Sequence, residues 1–416
     1  MISLALGGLV VLILGVAAVH RQAAHWLFPL IVHECKTRPR RIDPNAETHL
    51  ILAIADHFEP DFGGATKEAA LARVDRWVSD YPKVLGDFRD SDGRPPRHTF
   101  FYPAEVYDAQ EVEGIAQLCR AGFGEIEIHL HHDRDTAENL AKTLKEAVRT
   151  LSETHGLLSR DRATGDLGYA FVHGNWALNN SGPDGAWCGV NDEIRVLRET
   201  GCYADLTFPS APSPPSPCLI NQIYYAQSRP DRPGGHDRGV AVGAASPPAS
   251  DALMLIQGPL LLNWRKRKWG LIPRLENGCV QSSQPASPAR LPLWLKAGIG
   301  VPSRPDWVFV KLHAHGAPEH DQPALIGEPM AAFHRDLARH SEENPRFHYH
   351  YVTAREMYNL VRAAENGWTG DVESARDFER VWEPRVSETK KGQVDKPGNE
   401  YASGSSSLPR SPYEQF

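Results

Sequence analysis

Between residues 48 and 365 one pattern recurs: a short apolar run that ends in a polar tip, then a stretch with helical spacing. "HLILAIADHFEP", "HTFFYPAEVY", "EIEIHLHH", "LGYAFVHGNWAL", "YADLTFP", "DALMLIQGPL", "WVFVKLHAHG" and "FHYHYVT" read as strands. "KEAALARVDRWVSDYPKVL", "AQEVEGIAQLCRAG" (stopped by Gly122), the run from Thr136 to His155, "PMAAFHRDLARH" and "AREMYNLVRAAENG" read as helices. Such alternation joins parallel strands by helical crossovers. With about seven or eight strands in one stretch it predicts an α/β fold, a distorted (β/α) barrel of about seven strands, over residues 46–368.

Some segments do not fit the pattern. Residues 210–250 are rich in proline, glycine and serine and read as loops over the barrel. "NWRKRKW", residues 263–269, reads either as a solvated turn or as a lip that holds an anionic or sugar substrate or touches a membrane. Past Asp371 the periodicity ends, and residues 369–416 are expected to form a disordered tail. At the other end, Ile2 to Val19 carries no charge and no proline. As a helix it spans roughly 27 Å, so residues 1–35 are expected to form a single-pass membrane anchor. Trp26 and Phe28 suit the membrane interface, and the basic cluster Lys36, Arg38, Arg40 and Arg41 places the main domain on the cytoplasmic side.

The net charge of -7, with no long basic stripe, argues against a nucleic-acid partner. Six cysteines without a CxxC argue against a zinc ribbon and a dense disulfide framework. The histidines are more informative. Parallel strands gather function at their carboxyl ends, and four strand tips here carry histidine: Asp56-His57, His129 to Asp133, His173 with Asn175, and His313 with His315. A lone strand-end histidine is usually structural, but four in one chain predict a metal site.

Spacing narrows the ligands. In "EIEIHLHHD" the apolar residues share one face, so Glu127, His129 and His131 share the other. On a continuous strand His129 and Asp133 stand about 13 Å apart and cannot share an ion. An early turn lets them meet; an unbroken strand offers a His129/His131 chelate instead. "DRD" ahead of a long helix favours the turn, and with it His129 and Asp133.

The ordered set "AIADHFEP", "EIEIHLHHD", "LTFP" and "VKLHAHG" resembles the polysaccharide deacetylases, the NodB-homology or carbohydrate esterase family 4 group, over about His49 to Tyr351. By that resemblance Asp56 is the catalytic base, His57, His129 and Asp133 are the metal ligands, and His313 is the acid, with His315 an addition on the same face. His57 stands where the family has aspartate and Asp133 where it has histidine, so two histidines and one carboxylate are kept. Thr207 replaces the family's arginine and Ser210 its tyrosine.

The function this implies is removal of acetyl groups from an N- or O-acetylated polysaccharide, with zinc, iron, cobalt or manganese as the divalent ion. Asp56 takes a proton from metal-activated water, a backbone N–H near Ser210 helps hold the oxyanion, and a protonated His313 donates to the leaving group. His173, Asn175 and Trp176 form a substrate wall, although Trp176 also suits plain core packing. Two other classes compete. An amidohydrolase usually opens with HxH on its first strand, which Asp56-His57 does not match. A catalytically silent glycan-binding or scaffold domain fits the missing arginine and tyrosine.

Overall fold

A computed structural model describes residues 24–36, 46–243 and 248–383. Eight strands form its parallel frame: β1 (Thr48–His57), β2 (His98–Pro103), β3 (Gly124–Leu130), β4 (Leu167–His173), β5 (Cys202–Asp205), β6 (Leu253–Ile256), β7 (Trp307–Ala314) and β8 (Phe347–Tyr351). They belong to a 13-stranded, mostly parallel sheet in which β7, β1, β2, β3, β4, β5 and β6 lie side by side. β1 changes neighbour along its length: Thr48–Leu52 pair with β8, and Ala55–His57 pair with β2.

The strands are apolar nearly throughout because both faces are covered. Leu50, Leu52, Ile54, Phe100, Ile126, Ile128 and Phe171 pack with Trp77, Val112, Ile115, Leu140 and Leu144 of the flanking helices Lys67–Leu85, Ala109–Arg120 and Ala137–Arg149. The alternate residues Ile51, Ala53, Ala55, Phe101, Ala170 and Phe309 pack with Met357, Leu360 and Val361 of the helix Ala354–Glu365. Local signals set the helix starts. Thr66 accepts from Ala69 N–H, Thr136 from Asn139 N–H, and Thr353 forms a capping box with Glu356.

No closed barrel is found, which corrects the expected closure. β6 pairs with β5 on one side and with the antiparallel strand Ile223–Ala226 on the other, while the far side of β7 takes Cys279–Val280. The segment read as loops thus supplies strands that occupy the edge β7 would need.

The membrane anchor is also overturned. Residues 1–23 lie outside the described residues, and among the described residues no helix is long and apolar enough to cross a membrane. The helix Ala24–Lys36 has 13 residues and packs on the domain. Trp26 and Leu30 are buried with Ile220, Leu260 and Leu262, and Glu34 pairs with Lys296 at 2.5 Å. Trp26 therefore faces a core, and the membrane localisation falls with the anchor.

Residues 369–383, expected to be disordered, are ordered. Arg380–Val381 pairs with Ser159–Asp161, and Asn359 Nδ2 donates to the carbonyls of Arg376 (2.6 Å) and Arg380 (2.7 Å). Polar capture of the backbone, which leaves no apolar period to read, holds residues 369–383 in place; residues 384–416 lie outside the described residues. "NWRKRKW" belongs to a hairpin, Leu261–Lys268 with Ile272–Glu276, that exposes Trp264 and Trp269.

Candidate metal centre

The pleat decides which strand-tip side chains can meet. Ala53, Ala55 and His57 of β1 share the face covered by the helix Ala354–Glu365. His129 on β3, His131 just past it, and Lys311, His313 and His315 at the end of β7 reach the same place. The His57 ring centroid is 4.8 Å from that of His129 and 4.7 Å from that of His315; His129 and His131 are 4.6 Å apart.

Glu59, two residues past β1, completes the group. Its Oε1 is 3.4 Å from His129 Nε2 and 3.8 Å from His131 Nε2. One donor atom from each of His57, Glu59 and His129 lies within 4.8 Å of the others, and all three side chains are at most 1% exposed. His57 Nδ1 and both ring nitrogens of His129 make no hydrogen bond among the described residues. Buried nitrogens in that state are costly unless something binds them. Two imidazoles and a carboxylate can hold a divalent ion and leave positions for water.

Neighbouring residues fix this geometry. Glu105 Oε1 is 2.6 Å from His131 Nδ1, the kind of outer contact that orients an imidazole. A Cβ on Gly174 would stand 2.4 Å from the His131 ring, so only glycine lets the β4 tip pass so close. Trp176 stacks on His57, with centroids 4.5 Å apart and planes 26° apart, and meets His313 edge-on at 5.2 Å. It does so from a left-handed backbone, φ 60°, where a bulky residue is an outlier.

Burial, and then the neighbouring His315, His129, His313 and His131, push the pKa of His57 well below the usual value. His129 is lowered by burial and His131 against the pull of Glu59. For Glu105, burial works upward but His131 outweighs it and lowers the carboxyl. His313 is pushed well down by burial, Lys311, His315 and Arg290. The expected protonated His313 is therefore corrected: burial and the groups beside it work against the proton.

Other expectations are redistributed. Asp56 points to the opposite face, where Oδ2 is 2.8 Å from His98 Nε2 and Oδ1 accepts Gly316 N–H at 2.6 Å. Successive strand residues alternate, so Asp56 and His57 cannot both face the cluster. Asp133 accepts Trp187 N–H at 2.6 Å and is not a member; β3 runs on to Leu130, and the positive φ comes only at Arg134 (φ 50°), past Asp133. The carboxylate of the set is Glu59.

His173 and Asn175 join a different group. Asn175 N–H donates to His173 Nδ1 at 3.2 Å, and Asn175 Nδ2 donates to His132 O at 3.3 Å. Ser210 is buried with its hydroxyl unbonded among the described residues. Thr207, at the arginine position, donates to Asp205 at 2.7 Å and accepts His173 N–H at 2.9 Å. Trp176 and His315 do reach the cluster. Sequence reasoning missed Glu59 and Glu105; the His57-x-Glu59 spacing straight after a strand was the available signal.

Buried His, Glu, Asp and Cys groups in this protein can thus hold a metal ion. No family model matches the chain, and no curated protein matches it either.

Proposed function

We propose that this chain is a metal-dependent hydrolase that removes acetyl groups from an N- or O-acetylated polysaccharide. The observation that carries this reading is the convergence of His57, Glu59 and His129 at the strand tips, with ring nitrogens left unbonded. Motif order supplies the substrate class, through the resemblance to the polysaccharide deacetylases. A distorted-barrel reading of the open sheet goes with it: Lys311 Nζ on β7 donates across to Leu206 O, just past β5, at 2.7 Å.

An ion held by His57, Glu59 and His129, of zinc, iron, cobalt or manganese type, lowers the pKa of bound water and polarises the acyl carbonyl. With Asp56 facing away, the base is His131. Its Nδ1 faces Glu105 Oε1 at 2.6 Å and its Nε2 lies on the cluster side, 3.8 Å from Glu59 Oε1. His315 and a neutral His313 offer N–H donors on the far side of His57. Trp176, only 5% exposed and stacked on His57, shields the ligands from bulk water.

The experiment measures acetate release from N- and O-acetylated glycans by the metal-loaded protein. His131→Gln is expected to lower kcat by at least about 100-fold, the usual contribution of a general base, with metal retained, while Asp56→Asn stays active. Loss of activity in Asp56→Asn with His131→Gln unaffected reverses the base assignment. A silent glycan-binding domain is the second reading, favoured by the engagement of Asp56 with His98 and Gly316. Metal-loaded wild type that binds glycan without releasing acetate establishes it.

A further inference from the structure

Beside the candidate active site lies a second cluster with no part in the proposed hydrolysis. We infer that His132, His173, Cys188 and Glu193 form a separate, four-ligand structural zinc site. All four are buried, with donor atoms within 4.8 Å of one another. Glu193 Oε1 is 3.0 Å from His132 Nε2 and 3.7 Å from His173 Nε2, and Cys188 Sγ is 3.3 Å from Glu193 Oε2. Ligands of tetrahedral zinc, at about 2.0 Å for nitrogen or oxygen and 2.3 Å for the single sulfur, stand roughly 3.3–3.5 Å apart. The three separations given fall within about 0.4 Å of that range, and the remaining pairs lie within 4.8 Å.

Two further observations point to an ion. His173 is fully buried, and its Nε2, facing Glu193, makes no hydrogen bond among the described residues. Cys188 Sγ accepts the backbone N–H groups of Asn180 at 3.2 Å and Val190 at 3.4 Å, which point it into the cluster. His132 Nδ1 faces Asp135 Oδ2 at 3.4 Å, the contact a metal-bound imidazole usually carries. One contact must lengthen: Asn175 N–H lies 3.2 Å from His173 Nδ1, which carries the ring proton when Nε2 binds metal.

Four protein ligands close the shell, which marks the site as structural. It ties the tips of β3 and β4 to the helix Glu193–Glu199 and to the intervening loop, in which Trp176, Asn179, Asn180, Asp184 and Trp187 all have positive φ. His132 follows His131, and His173 precedes Gly174 and Trp176, so the zinc would fix the backbone that places two residues of the neighbouring centre.

The test uses the full chain loaded with zinc, and separately with cobalt, after removal of free ion. Wild type is expected to hold about two zinc equivalents. Cys188→Ser loses one and keeps the one that His57→Asn removes. Cobalt protein is expected to show a thiolate-to-cobalt charge-transfer band, intact in His57→Asn and lost in Cys188→Ser and Cys188→Asp. The aspartate variant keeps an oxygen ligand and so guards the fold. Wild-type cobalt protein without the band overturns the inference, as does a band that survives in folded Cys188→Asp. Because the band follows Cys188 alone, failure of the hydrolase reading leaves it in place.

Discussion

The two ends of the parallel sheet bury polar groups in opposite ways. At the amino ends of the strands the charges are partnered. Arg355 donates to both oxygens of Glu125, at 2.9 and 2.8 Å, and to Arg380 O at 2.7 Å. Glu356 pairs with Arg97, and Arg376 meets Asp92 at 2.8 Å and Asp90 at 3.2 Å. At the carboxyl ends His57 and His129 are just as deeply buried, yet the ring nitrogens named above are unbonded. The amino end also holds metal-like groupings, Glu47/His49/His348 and Asp90/Asp92/His350. There the donors are engaged: His49 Nδ1 lies 3.0 Å from His350 Nε2, and His350 Nδ1 lies 2.7 Å from Asp92. Burial is common to both ends; the unbonded ring nitrogens set His57 and His129 apart from these amino-end groupings.

The largest effect that tests this contrast is at the paired end. Arg355→Met leaves buried Glu125 with only the longer Arg97 contact, 3.6 Å, and should cost about 3 kcal/mol or more, a fall in Tm on the order of 10 °C, measured by calorimetry with or without metal. An Arg355→Met protein as stable as wild type breaks the comparison.

At the other end the sign should reverse. In metal-free protein His129→Leu removes an unbonded buried imidazole and should leave stability unchanged or raise it by about 1 kcal/mol. With metal present the order should invert, since an ion at 100 times its Kd stabilises wild type by about 2.7 kcal/mol. Urea titrations of both proteins, with chelator and with zinc, give the four values. A large loss in chelator shows that the imidazole is structural.

The smallest effect is acid sensitivity. Burial alone raises the pKa of Asp92, but His350 and Arg376 more than reverse this and bring it to about 2. Its folded pKa is below the unfolded value, so its stabilisation is present above about pH 4 and fades as pH falls to about 2. The Tm gap between wild type and Asp92→Asn, expected to be a few degrees at pH 7, should close across that window. A gap independent of pH removes the charge pairing as its cause.

Much of this arrangement was legible in the sequence. Alternation in "EIEIHLHH" put His129 and His131 on one face, and they meet 4.6 Å apart beside His57. The same rule, applied to Asp56-His57, already forbids both from facing one ion; motif order hid that conflict. Glu59 was missed because it lies past the strand, where no period applies, although the His57-x-Glu59 spacing was there to be read. Asp133 failed because the turn expected near His129 does not come there: the strand continues to Leu130, and Asp133 takes Trp187 N–H instead. Edge closure failed for a topological reason: Ile223–Ala226 lies in a proline-rich stretch, yet it occupies the side of β6 that a barrel would need.

The bend from His173 to Trp176 is shared property. Its first side chain is clamped at one cluster, its last lies flat against a ring of the other, and the glycine between them leaves no slack against His131. Gly174, packed against the His131 ring, has no room to swing aside, so a shift at His173 is passed along the bend to Trp176. Whatever loosens one cluster should therefore be felt as a tilt of the indole that roofs its neighbour.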